Sequence, residues 1–243
     1  MDYPHIRPRQ LTRPVEVRLA VADLKLPPPG VIGYIRGAAD RIPEALATLG
    51  LNLVILNRDS LARGQLARYR TIVVGPRAYE VEPALETYNG RLVEYVQGGG
   101  TLIVQYQQQP YFRGGYAPFG LSLTERLGET PMRVAAPRVA EEDAAVQVLD
   151  PAHPVFNVPN RLTGADWNGW VQERGLYFAR SWSSEWTPLL EMADTGEQPQ
   201  RGALLLARSG RGIYVYSGLS FFRELPAIVP GAARLFLNLV SLR

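Results

Sequence analysis

Asp166 and Glu173 are the carboxylates this sequence places best for general acid–base work, with His153 upstream in the same stretch as a third titratable group. All three lie between His153 and Phe178, in HPVFNVPNRLTGADWNGWVQERGLYF, together with Asn157, Asn160, Trp167, Asn168, Trp170, Gln172, Arg174 and Tyr177. Neither helical period nor strand alternation runs through the first half of this stretch, so it is expected to be mostly loop, a common place to hold a site. Amides and carboxylates beside tryptophans suit a carbohydrate. Sugars offer apolar C–H faces to aromatic rings, and hydroxyls that take amide or carboxylate partners. The competing reading packs the rings as a lid on a sheet, which is expected for at least half of Trp167, Trp170, Tyr177, Trp182 and Trp186.

Several other chemistries are excluded by residue type and spacing. The chain has no cysteine, so it offers no thiolate nucleophile, thiolate metal site or disulfide. Its two histidines, His5 and His153, form no H-E-x-x-H pattern, and no metal is expected. There is no G-x-S-x-G elbow, and Ser217-Gly218-Leu219-Ser220 has no base nearby in sequence other than His153. GYIRGAAD lacks the third glycine of a dinucleotide loop, so no cofactor is expected either. Net charge is +3 and the pI about 9.2, yet the arginines are scattered among Asp and Glu, and Lys25 is the only lysine. Nucleic acid is therefore not an expected partner, since its footprint is a clustered basic stripe. No apolar run approaches the ~20 residues that cross a bilayer, and no membrane association is expected. MDYPHIRPRQLTRP has no apolar core of a signal peptide, which leaves the compartment open because a longer parent could carry one.

The elements that must position these residues follow from the apolar pattern. Residues 1–29 read as an extended lead-in, with Val15, Val17 and Leu19 alternating as in an edge strand or as the remnant of a preceding domain; Pro27-Pro28-Pro29-Gly30 then breaks the chain. Residues 30–243 read as one α/β domain. Apolar runs at Val31–Ile35, Leu51–Leu56, Thr71–Val74 and Thr101–Gln105 are the strands. Helical patterns after Asp40, from Leu61 to Tyr69 and after Pro83 separate them, and Gly98-Gly99-Gly100 stops the last. Alternation of strand and helix means parallel βαβ units. Ligands of such sheets sit beyond the carboxyl ends of the strands, which places Arg36 and Asp40, then Arg77 and Glu80, then Gln105, Tyr106 and Gln107 as candidates. Residues 107–137 form a long aromatic-rich loop of the kind that is functional or disordered. A short element at Val146–Leu149, a strand at Glu185–Met192, paired strands at Gly202–Arg208 and Gly212–Tyr216, and a helix at Ala232–Leu242 complete the pattern.

Together GYIRGAAD, IVVGPRAYE, GGGTLIVQYQ, LDPAHPVFNVPN, DWNGWVQERGLYF, GIYVYSGLSFFRELP and PGAARLFLNL resemble the C-terminal region of large bacterial LmbE-like (PIG-L family) deacetylases, from about Tyr3 to the end. The resemblance implies a class I glutamine amidotransferase-like domain with a flavodoxin-like, doubly wound, mostly parallel sheet, and places YPHIRP at the end of an upstream β-sandwich. It also implies an LmbE-like deacetylase domain as a partner in cis or in trans. The zinc motif of the deacetylase, A-H-P-D-D-E, is absent, and so is the cysteine that a working amidotransferase needs at a strand-to-helix elbow. The expected function is a non-catalytic accessory domain binding a glycan or a partner domain. Its candidate ligand-binding residues are Arg36, Arg77, Glu80, Gln105, Gln107, Asn157, Asn160, Asp166, Trp167, Trp170, Gln172 and Arg174. The alternative is a cysteine-free hydrolase acting on a glycan-related substrate with Asp166, Glu173 and His153 as acid–base groups. A third reading, a purely structural interaction module, requires the aromatic segment to be buried.

Overall fold

The apolar runs become neighbouring strands in the computed structural model, which describes residues 19–129 and 136–243. Strand β1 (Ile32–Ile35) pairs in parallel with β2 (Leu53–Ile55) on one side and β3 (Thr71–Val74) on the other, and β3 continues in parallel to β4 (Thr101–Gln105). Three strands from the second half finish the sheet: β5 (Trp186–Pro188), β6 (Leu204–Ser209) and β7 (Gly212–Ser217). The order is β5-β6-β7-β4-β3-β1-β2. β7 lies parallel to β4, while β6 and β5 return antiparallel at the edge. The result is a mixed α/β fold built on a mainly parallel seven-stranded sheet. Every residue of β1, β3, β4 and β7 is buried, which is why these runs are apolar without alternation.

Successive side chains of a strand point to opposite faces, and each face has its own core. Ile32, Tyr34, Val73, Ile103 and Val215 pack with helix α1 (Ile42–Thr48) and, from the far end of the chain, α7 (Pro230–Leu239). Ile72, Val74, Leu102, Val104 and Tyr214 pack on the other side with α2 (Arg58–Arg63) and α4 (Ala84–Gln97), through Leu61, Leu85, Leu92 and Val96. α4 begins after Pro83 and ends at Gly98; Gly99, at φ 111°, makes the left-handed turn into β4. The chain after α7 is tied beneath the sheet. Thr71 Oγ1 donates to the Val240 carbonyl at 3.0 Å and Thr101 Oγ1 to the Leu242 carbonyl at 3.1 Å.

Several expectations need correction. The single strand expected at Glu185–Met192 is two. β5 joins the main sheet, whereas Leu190–Met192 pairs antiparallel with Val146–Val148 in a separate two-stranded sheet. Pro188 supplies no N–H, and the chain changes sheet directly after it. The last helix begins at Pro230 rather than at Ala232, because proline is at home in a first turn. The stretch from 107 is not all loop. It contains short helix α5 (Gln109–Gly114) and a strand at Leu121–Ser122 paired with Ser181–Trp182. Two more short helices, α3 (Ala78–Val81) and α6 (Phe221–Glu224), follow β3 and β7. The lead-in strand through Val15 and Val17 falls outside the described residues, and from Leu19 to Gly30 the chain forms no strand.

Candidate functional site at the carboxyl edge of the sheet

Three strand ends converge where the βαβ pattern puts them. Beyond β1, Arg36 donates to the Asp40 carbonyl at 2.7 Å and pairs with Glu44 at 2.8 Å. The Asp40 carboxylate is buried and accepts from Tyr34 Oη, Gly37 N and Ile42 N at 2.8, 3.0 and 3.0 Å. It thus serves the start of α1 from one position before the N-cap, Arg41. Burial pushes its pKa up, and these three donors hold it back. Gln105, at the end of β4, donates to Tyr34 Oη at 3.0 Å, and its Oε1 has no partner among the described residues. Gln107 bridges strands instead. Its Nε2 donates to the Gly75 and Gln105 carbonyls at 2.8 and 2.9 Å, and its Oε1 accepts from Tyr79 N at 3.2 Å.

Beyond β3 the chain turns into α3 through Arg77, whose backbone is left-handed at φ 56° and ψ 25°. A residue with a side chain is strained in that region, which marks the position as one worth explaining. Its guanidinium forks onto Glu80 at 3.1 and 2.8 Å, which raises the arginine's pKa. Tyr106 follows β4 and stacks on Tyr177, with ring centroids 5.7 Å apart, and meets Phe222 at 5.3 Å. Burial raises the Tyr106 pKa, and the positive charge of Arg77 partly opposes it. Tyr177 is also left-handed, at φ 55°, and its carbonyl accepts from Tyr216 Oη at 2.6 Å. Arg77, Glu80, Tyr106 and Tyr177 therefore share one edge.

The residues of the 153–178 segment are engaged differently. Asn160 is buried and locked to Asn238 of α7, whose Oδ1 accepts from Asn160 N at 2.9 Å; its side chain also clasps the Lys25 backbone at 2.8 and 2.9 Å. Asp166 closes a capping box with Thr163 and pairs with Arg234. Trp167 and Trp170 are 7% and 3% exposed, and Trp170 Nε1 donates to the Asp166 carbonyl at 3.1 Å. Arg174, also buried, donates to the Ala144 carbonyl at 3.0 and 2.8 Å and to the Trp167 carbonyl, with its guanidinium over the Trp170 ring at 5.5 Å. Glu173 pairs with Arg223 at 2.8 Å. His153 Nδ1 accepts from Val155 N, and burial pushes the imidazole pKa down. Asn157 bonds the Pro151 and His153 carbonyls at 2.8 and 3.0 Å. Gln172 is exposed, with φ 73°, and its N–H donates to the Glu142 carboxylate.

No hydrogen bond among the described residues joins Asp166, Glu173 and His153; each is held by its own neighbours. The two tryptophans expected to offer a stacking face are covered. Among the described residues no group of three or more His, Asp and Glu side chains lies close enough to hold a metal ion, and no helix is long and apolar enough to cross a membrane.

The carboxylate that sequence reasoning missed is Glu224. It is fully buried at the end of α6, accepting from Val171 N at 3.0 Å and Ser220 Oγ at 3.1 Å. Burial pushes its pKa up to about 7, against the opposing pull of Val171 N–H, Ser220 and the Arg174 and Arg223 charges. Its place between Phe221-Phe222 and Leu225 was the available signal. The polar residues of the 153–178 segment drew notice by their own chemistry; the group that anchors the segment lies elsewhere in the chain.

Fold and edge together define the class: a mixed α/β protein with a large, mainly parallel sheet whose carboxyl side carries charged and aromatic residues. No known family matches the chain, and no curated protein matches it. Solved structures do. STM1381 from Salmonella typhimurium LT2, described as a cytoplasmic protein, superposes with a TM-score of 0.55 at 12% identity over 86% of this chain and 98% of its own. STM3548 from Salmonella typhimurium gives 0.52 at 13% identity over 87% and 98%. A putative GMP synthase protein from Thermoplasma acidophilum gives 0.50 at 11% identity over 87% and 92%. At such identities the likeness concerns the fold alone.

Proposed function

We propose that this chain is a non-catalytic accessory domain of the flavodoxin-like, doubly wound, class I glutamine amidotransferase-like type, associated with an LmbE-like deacetylase and binding a glycan or a partner domain. The observation that carries this reading is Arg77. It occupies the left-handed strand-to-helix elbow after β3, the kind of turn at which a working amidotransferase needs its cysteine. An arginine forked onto Glu80 cannot attack a carbonyl. The engagement of Asp166 by Arg234 and of Glu173 by Arg223 weighs against the hydrolase alternative. The burial of Trp167 and Trp170 favours a structural role for their segment, as the interaction-module reading requires.

The test is turnover. Ammonia release from glutamine, and hydrolysis of ester, amide and glycoside substrates, should stay at the buffer rate for the purified chain. A rate above buffer that disappears in Glu173→Gln would overturn the non-catalytic reading in favour of the hydrolase.

A further inference from the structure

The aromatic-rich stretch after β4 has no role in the edge described above. It builds a cleft of about 680 Å³ between α5 and the segment from Tyr116 to Glu129. That volume falls within the ~300–1,000 Å³ typical of small-molecule sites. The cleft lies outside the 153–178 segment and shares no residue with it.

Its floor is preorganised. Tyr111 anchors α5 to the sheet, its hydroxyl 2.8 Å from that of Tyr214. Tyr116 stacks on Tyr79 with centroids 4.8 Å apart and planes 20° apart. The backbone of Tyr116 is fixed by Asn89, which donates to its carbonyl at 3.0 Å while accepting from Tyr79 Oη at 2.6 Å. Gly114 is required for this arrangement, since a Cβ there would lie 2.3 Å from the Tyr116 ring. Phe119 is braced edge-on against Trp186 at 6.5 Å. Phe112, Tyr116 and Phe119 are all half-buried, so each ring keeps some surface toward the cleft.

The polar side is of a different kind. Gln109 and Arg113 stand four residues apart on α5, hence on one helix face. Neither side chain has a hydrogen-bond or ion-pair partner among the described residues. The rings of Tyr116 and Phe119, with the amide of Gln109 and the guanidinium of Arg113 lining the same cleft, match what a sugar offers: C–H patches and hydroxyl rims.

We propose that this cleft is an oligosaccharide-binding site, with Phe119 and Tyr116 taking the C–H face and Gln109 and Arg113 the hydroxyl or carboxylate rim. The proposal rests on the binding, non-catalytic reading above and gives its glycan a location. The test is calorimetry on the intact chain with chitotriose, cellotriose and trigalacturonate, the last probing whether Arg113 favours an acidic sugar. At least one trisaccharide should bind, and both Arg113→Ala and Phe119→Ala should weaken it about tenfold or more, while Glu197→Ala, at an exposed turn outside the cleft, leaves it unchanged. Amide shifts on titration should cluster between Gln109 and Leu123. Absence of binding by all three trisaccharides overturns the proposal, as does binding that both variants leave intact or shifts centred on Arg77 and Tyr177. These outcomes are independent of the turnover assay, which alone decides whether the chain is catalytic.

Discussion

Replacing Glu224 with glutamine isolates the buried carboxyl that anchors the 153–178 segment. The raised pKa means that the folded state holds the proton more tightly than the unfolded chain does. The stability contributed by the neutral carboxyl is therefore fully present below its ordinary value of 4.5 and is lost as the pH rises through about 7. At ~1.4 kcal/mol per pH unit, the interval between the two values corresponds to roughly 3 kcal/mol. Glutamine fits the same contacts. Its Oε1 can accept from Val171 N, and its Nε2 can donate to Ser220 Oγ once that hydroxyl turns its single proton from residue 224 to the Glu173 carbonyl, 2.8 Å away. Glu224→Gln should match the parent at pH 4.5 and exceed it by about 3 kcal/mol at pH 8, or roughly 6–12 °C in Tm for a chain of this size. Urea unfolding at steps between those values gives the difference curve. Asp40 and His153 also titrate with shifted values, but they are common to both proteins and cancel. Parallel curves across the range, or a variant weaker than the parent at pH 8, would refute the assignment.

Other outcomes follow from the same contacts. Arg174→Ala strands the buried Ala144 and Trp167 carbonyls and removes charge from beside Glu224, so it should cost about 3–5 kcal/mol in urea unfolding. Trp170→Ala should cost a similar ~3–5 kcal/mol through the cavity it leaves, seen as a lower thermal midpoint. Asn238→Leu should lose about 2–4 kcal/mol, because it abandons the Asn160 and Val155 backbone groups; hydrogen exchange of the Asn160 amide should accelerate with it. Ile228→Gly should hold or raise stability by up to ~1 kcal/mol, since a half-exposed β-branched residue sits there at φ 61°.

The parallel strands were legible because burial on both faces removes alternation, and short helices with proline starts and glycine stops separated them. β1, β3 and β4 lie within the runs read from the sequence. The placement of Arg36, Arg77, Gln105 and Gln107 at the carboxyl edge followed from the same pattern. What composition could not disclose was how the polar residues of the 153–178 segment would be spent. Asp166, Arg174 and Asn160 look alike in a sequence whether they face a ligand or a backbone carbonyl. Their partners, Arg234, Ala144, Lys25 and Asn238, come from separated parts of the chain and meet only in the fold. The switch of sheets after Pro188 was hidden for a related reason. Two short strands with one residue between them read as one when only hydropathy is consulted.

The place of β7 in the sheet constrains the order of assembly. β2, β1, β3 and β4 come from the first half of the chain and are all parallel neighbours, so they can associate early. β4 is then left with one unpaired edge until Ser217 has been synthesised, because its remaining partner lies more than a hundred residues downstream. The carbonyls that receive Thr71 and Thr101 arrive later still, with Val240 and Leu242. A ribosome making this protein thus leaves a central, apolar strand edge unpaired from Gln105 until Ser217 has been added. That nascent edge, rather than either outer margin of the finished sheet, is where a chaperone has most to protect.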